Sequence, residues 1–202
     1  MNYSITQNGK PLDKSKYTID EKTKTFSSNE DDLVLDFNSL NNWTFKTGDY
    51  CTFKTGSDCT FKTGYYCTFN TGYSCTFNTG YYCTFNTGND CIFRTGYSCT
   101  FKTGSNCTFN TGSDCTFNTG GYCTFNTGSC CTFKTGYSCT FNIYNNFKSI
   151  QTKGNSNILI TNRKIHDYLE DEVIVYFEDN KLLYTENKLS REKYKMITEL
   201  VK

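Results

Sequence analysis

Thirteen cysteines in 202 residues are the side chains here with the greatest capacity for chemistry: disulfide bonding, soft-metal binding or thiol redox work. Twelve of them, Cys51, Cys59, Cys67, Cys75, Cys83, Cys91, Cys99, Cys107, Cys115, Cys123, Cys131 and Cys139, recur at intervals of eight residues, and Cys130 stands out of register beside Cys131. Zinc sites gather four thiolates, usually from close pairs such as Cys-x-x-Cys, and the chain contains no such pair. Disulfide frameworks use irregular spacings, because each bridge staples a different loop, and an odd count leaves one thiol over. Thiols stacked on neighbouring strands lie about 4.8 Å apart, whereas bridged Cβ atoms approach to roughly 3.8 Å. Bridges along a stack are therefore disfavoured, and bridges across an interior stay geometrically open. A line of sulfurs would suit soft metals. Burial among apolar groups, however, raises a thiol's pKa and keeps it protonated. The expected role of the regular cysteines is packing, with soft-metal binding or redox buffering as the alternative. Cys130 is the expected reactive thiol.

The element that positions these residues is an internal repeat. Residues 43–146 form thirteen tandem octads on the pattern Cys-Thr-Phe-x-Thr-Gly-x-x, with Trp43 in the cysteine position of the first. Phenylalanine follows two residues later each time: Phe45, Phe53, Phe61, Phe69, Phe77, Phe85, Phe93, Phe101, Phe109, Phe117, Phe125, Phe133 and Phe141. Threonine separates Cys from Phe except at Ile92, and Gly48 to Gly136 close the first twelve octads at the sixth position. In an extended strand, residues two apart share a face, so Cys and Phe point inward and Thr outward. Thr-Gly and two loose polar positions read as a corner, with glycine free to take positive φ. A single octad encloses too little space for a phenylalanine ring. Two octads per coil, a flattened 16-residue turn, are preferred over a triangular turn of three. The expected fold is an all-β solenoid lined by these Cys and Phe ladders, each buried ring contributing about 1.5–3 kcal/mol.

The ends depart from the repeat, as caps must. Residues 1–34 read as an N-terminal β cap around the Asn8-Gly9-Lys10-Pro11 turn, and 35–146 as the solenoid. Leu35-Asp36-Phe37 keeps the octad rhythm with Leu35 in the cysteine position. Residues 147–157 read as a polar linker. Residues 158–202 hold a hairpin, with strands around Glu172 to Phe177 and Leu182 to Thr185, and then a short amphipathic helix after Ser190. The helix is too short to stand alone, so its apolar face packs on the hairpin or on a second copy, making a homo-oligomer.

Other functions lack their parts. With 21 Lys and Arg against 20 Asp and Glu, nothing draws nucleic acid or an acidic membrane to the chain. Tyrosines at corner positions, among them Tyr65, Tyr66, Tyr81, Tyr82 and Tyr97, lie near Lys54, Lys62 and Lys102, a sparse version of a nucleic-acid-binding pattern. No apolar leader or membrane-length run is present, so a soluble intracellular protein is expected. The single histidine, His166, has no paired nucleophile, and no phosphate loop exists apart from the repeat glycines. No catalytic residue, cofactor or metal is expected. An outward Thr-x-Thr ice-binding array is spoiled by Lys, Asn or Arg beside the threonines.

The tiled words Cys-Thr-Phe-Asn-Thr-Gly and Cys-Thr-Phe-Lys-Thr-Gly, preceded by Asn8-Gly9-Lys10-Pro11-Leu12-Asp13 and Leu33-Val34-Leu35-Asp36-Phe37, resemble octapeptide-repeat proteins encoded by giant viruses of amoebae. The resemblance covers the first two thirds of the chain. It implies a virus-encoded protein of host cytoplasm or virion and implies no activity. A looser likeness to pentapeptide-repeat solenoids, some of which mimic DNA, fails on charge, because octad lysines and Arg94 outnumber the octad aspartates.

Overall fold

Each octad folds as one short strand and one corner. The structure is a computed structural model that describes residues 3–38, 40–143, 147–152, 157–161, 173–178 and 181–186. Within it, thirteen strands run from β6 (Thr44–Lys46) to β18 (Thr140–Ile143), one per octad. Each pairs in parallel with the strand two octads away, so that Phe77 lies between Phe61 and Phe93, and Phe85 between Phe69 and Phe101. The coil is therefore 16 residues, and successive octads join opposite sheets of a two-sheet β-solenoid, one of ten strands and one of twelve.

The period of two extends further along the octad than the sequence suggests. Cys75 and Phe77 are buried and Asn78 is exposed, as expected. The fifth-position threonine also turns inward, and Thr55, Thr71, Thr79, Thr111 and Thr135 are buried. Their hydroxyls donate to the following glycine carbonyl at 3.3–3.5 Å. Inside, phenylalanine rings of one sheet stack at about the strand spacing, as in Phe77–Phe93 at 4.9 Å and 3°. Rings of facing sheets meet edge to face, as in Phe77–Phe85 at 5.2 Å and 75°. Both arrangements suit the ring quadrupole, adding about 0.5–1.5 kcal/mol per pair to area burial.

The corner works differently from the expectation. The repeat glycines keep ordinary negative φ, and the left-handed residue is the eighth, from Tyr50 (φ 54°) to Ser138 (φ 52°). Asn, Asp and Ser tolerate that region better than Tyr does. Glycine is demanded instead by close approach. A Cβ on Gly136 would lie 2.7 Å from the amide nitrogen of Gly121 and 2.9 Å from the carbonyl carbon of Gly120, one coil below. Backbone bonds such as Gly80 N–H to Gly64 O, 2.9 Å, link these corners coil to coil.

The first coil starts earlier than residue 35. Strands β1 (Ser4–Gln7) and β2 (Lys10–Pro11) form a hairpin whose Asn8-Gly9 turn has positive φ at both residues, the signature of a tight twisted hairpin. Strands β3 (Tyr17–Asp20) and β4 (Thr25–Ser28) form another. β4 already pairs in parallel with β6, and β5 (Leu33–Phe37) with the strand Thr52–Thr55. Leu35 registers with Phe53, not with a cysteine, and Phe37 with Thr55. The octad rhythm misplaced them because this coil spans eighteen residues, Val34 to Thr52, rather than sixteen. Inside this coil Phe37 packs against Trp43 and Phe45 at 5.2 and 5.0 Å.

The other end is corrected as well. Residues 147–157 are not a simple linker. β19 (Phe147–Thr152) and β20 (Asn157–Thr161) add parallel strands to the two sheets. The expected hairpin is present, with β21 (Val173–Glu178) antiparallel to both β20 and β22 (Lys181–Glu186). Antiparallel strands thus end the twelve-stranded sheet at both limits and the ten-stranded sheet at its N-terminal limit. The helix expected after Ser190 lies outside the described residues.

Candidate functional site

Folding sorts the twelve regular cysteines into two columns of six, one behind each sheet. One holds Cys51, Cys67, Cys83, Cys99, Cys115 and Cys131; the other holds Cys59, Cys75, Cys91, Cys107, Cys123 and Cys139. All are buried to within 1% exposure, as is Trp43, which heads the second column. All thirteen cysteines are free thiols. Each inward thiol is aimed at the corner preceding it: Cys91 Sγ donates to Asn89 O at 3.4 Å and approaches Gly72 O at 3.9 Å. A small apolar side chain that is also a weak donor fits a place where corner carbonyls face the interior.

Stacked thiols shift one another's acidity within the columns. Cys67, Cys75, Cys107 and Cys115 are pushed far above the ordinary thiol value, first by hydrogen bonds with the stacked thiols and then by burial. Cys91, Cys99 and Cys123 are shifted the other way by the stacked thiols on either side, against the effect of burial. Burial acts to raise every inward thiol, as expected, and the stacked neighbours set the differences along each column. Stacked thiols influence one another, so a column titrates as a unit. What the columns lack is access, since solvent and reagents meet almost none of the sulfur surface. Among the described residues no group of three or more His, Cys, Asp or Glu side chains is placed to hold a metal ion.

Cys130 is the exception. It occupies an eighth position, takes φ 59° and is half-buried at a corner, next to the buried Cys131. His166 lies outside the described residues. The octad cations divide evenly, with Lys46, Lys62 and Arg94 on one sheet and Lys54, Lys102 and Lys134 on the other, and Lys54 reaches Asp36 at 3.5 Å.

The sequence placed tyrosines at corners, but their stacking on a single corner escaped it. The two corners of each coil differ, and one of them collects Tyr50, Tyr65, Tyr66, Tyr81, Tyr82 and Tyr97. Seventh-position rings stack as Tyr65–Tyr81–Tyr97 at 4.6 and 4.7 Å. Eighth-position rings stack as Tyr50–Tyr66–Tyr82 at 4.9 and 4.8 Å. The two stacks touch edge to face at Tyr81–Tyr82 and Tyr82–Tyr97, both 5.5 Å. The signal was present as tyrosine at intervals of sixteen, visible only once alternate octads are read together. Because the rings cover one another's faces, nucleic-acid bases have no open platform within the stacks. No protein-family model, curated protein or solved structure matches this chain.

Proposed function

We propose that the chain is a non-catalytic structural or scaffolding rod that presents its corners and ends to partners, in keeping with the virus-encoded octapeptide-repeat proteins it resembles. The observation that carries this is the use of the interior. In coil after coil the inward Cys, Phe and Thr side chains are spent on packing against their own copies, from Trp43 to Ile143. The same resemblance carries the proposal that it acts in host cytoplasm or the virion. Residues 158–202 are proposed to pair chains, since they follow the last repeat and carry the amphipathic run after Ser190. Light scattering on the full chain and on a truncation lacking residues 158–202 tests that part. A dimer that becomes a monomer supports it, and a full-length monomer at micromolar concentration refutes it.

A second reading, a thiol module for soft metals or redox buffering, is favoured by one observation: six sulfurs align along each column. Elemental analysis of protein purified without chelator separates the two. The rod reading expects no stoichiometric zinc, copper or iron, whereas several equivalents lost together with the fold on chelation would install the thiol module instead.

A further inference from the structure

We propose that the tyrosine corner is a site of oxidative modification, where a one-electron oxidant couples rings stacked on successive coils into dityrosine. The inference stands on the geometry of this corner and not on the scaffolding reading. Two phenols couple when both are oxidised while held in contact, and lone surface tyrosines rarely satisfy that condition. Here six are held together on a rigid lattice, each with a parallel partner sixteen residues away at 4.6–4.9 Å. They are also reachable, Tyr50, Tyr66 and Tyr82 being 42–52% exposed.

A second observation points the same way. Tyr50, Tyr66 and Tyr82 sit at φ 54–57°, where other octads place Asp, Asn or Ser, with Tyr122 and Cys130 as exceptions. Tyrosine is poorly suited to that region, and at this corner three such tyrosines stack on successive coils. The second corner shows the contrast. Tyr73 there has Ser57 and Asn89 as its neighbours one coil away, and Tyr122 and Tyr137 meet once, edge to face at 5.0 Å.

In the step proposed, each of two stacked phenols loses one electron to the oxidant and its hydroxyl proton to water. The phenols start protonated, because burial within the stack holds Tyr66, Tyr81 and Tyr97 above the ordinary phenol value of 10.0. The two radicals form one carbon–carbon bond between ring positions ortho to the hydroxyls, and each ring regains aromaticity by moving the ortho hydrogen to its oxygen. Hydrogen peroxide, acting through a haem peroxidase, takes up the two electrons and two protons and becomes two waters. The product is a covalent staple between adjacent coils.

The test uses the full chain carrying Cys130→Ser, so that the accessible thiol does not quench radicals, at high dilution with a haem peroxidase and hydrogen peroxide. Dityrosine fluorescence should appear in the monomer band of a denaturing gel. It should be lost when Tyr65, Tyr66, Tyr81 and Tyr82 are all changed to Phe, which keeps the rings but leaves Tyr50 and Tyr97 without a stacked phenol. It should persist when Tyr73, Tyr122 and Tyr137 are changed to Phe. Cross-links mapped on the chain with all its tyrosines should join residues sixteen apart, such as Tyr65 and Tyr81. Undiminished signal in the first variant, signal confined to covalent dimers, or mapped links outside the corner would each overturn the proposal.

Discussion

The interior and the tyrosine corner are both built from aromatic rings stacked at one strand spacing, yet they follow different rules. Phe61, Phe77 and Phe93 stack at 4.9 Å, as closely as Tyr50, Tyr66 and Tyr82 do at the surface. The interior ring appears in every octad, whereas the corner run begins at Tyr50 and ends at Tyr97. The difference lies in what each ring touches. An inward phenylalanine meets its own column above and below and also the facing column, edge to face, on both sides. Removing one ring opens a hole shared by several neighbours. A corner tyrosine touches mainly its own copies, so its run can stop without consequence for the coils beyond. Strictness in this repeat therefore measures how many coils a side chain serves.

That contrast can be broken or sharpened by substitution. Phe93→Ala should show the largest effect, a loss of about 3–5 kcal/mol in denaturant titration, because closely packed rings cannot collapse into the void. Next comes Gly136→Ala, which sets a methyl against backbone of the coil below and should cost about 1–3 kcal/mol by overpacking. Tyr82→Asn exchanges a stacked ring for a residue at ease in left-handed backbone, two effects of opposite sign, and should change stability by less than about 1 kcal/mol. A loss as large as that of Phe93→Ala would erase the distinction between interior and corner. Thr100→Ser, on the outward face, should stay within about 0.5 kcal/mol by thermal unfolding.

How much of this was legible beforehand follows from the same physics. The alternation of Cys, Thr and Phe declared the inward and outward faces, and the bulk of Phe excluded a coil of one octad, while strand register decided for two over three. Three things were not legible. The glycines carry no mark that separates positive φ from close approach, and only coil stacking shows that Gly136 is held by the backbone of Gly120 and Gly121. Leu35 looked like a cysteine substitute because the eighteen-residue first coil breaks the count on which the assignment depended. The tyrosine corner was hidden because a 16-residue coil sends alternate octads to opposite corners. Tyr73 and Tyr137, on the other corner, blur the alternation until the coils are stacked. The strands of 147–152 and 157–161 lacked the octad word altogether, and register with β17 (Cys131–Thr135) and β18 is what identifies them as further coils.

The central claim is that the cysteine columns are packing and that chemistry is confined to the surface. Counting thiols that react with an alkylating reagent, by intact mass over time, tests this most directly. Native protein should take up one label quickly, at Cys130, with the twelve sulfurs that are exposed by 1% or less following only after denaturation. Rapid native labelling of several column cysteines would contradict the account. So would resistance that survives denaturation and yields only to reductant, which would reveal disulfides across the interior.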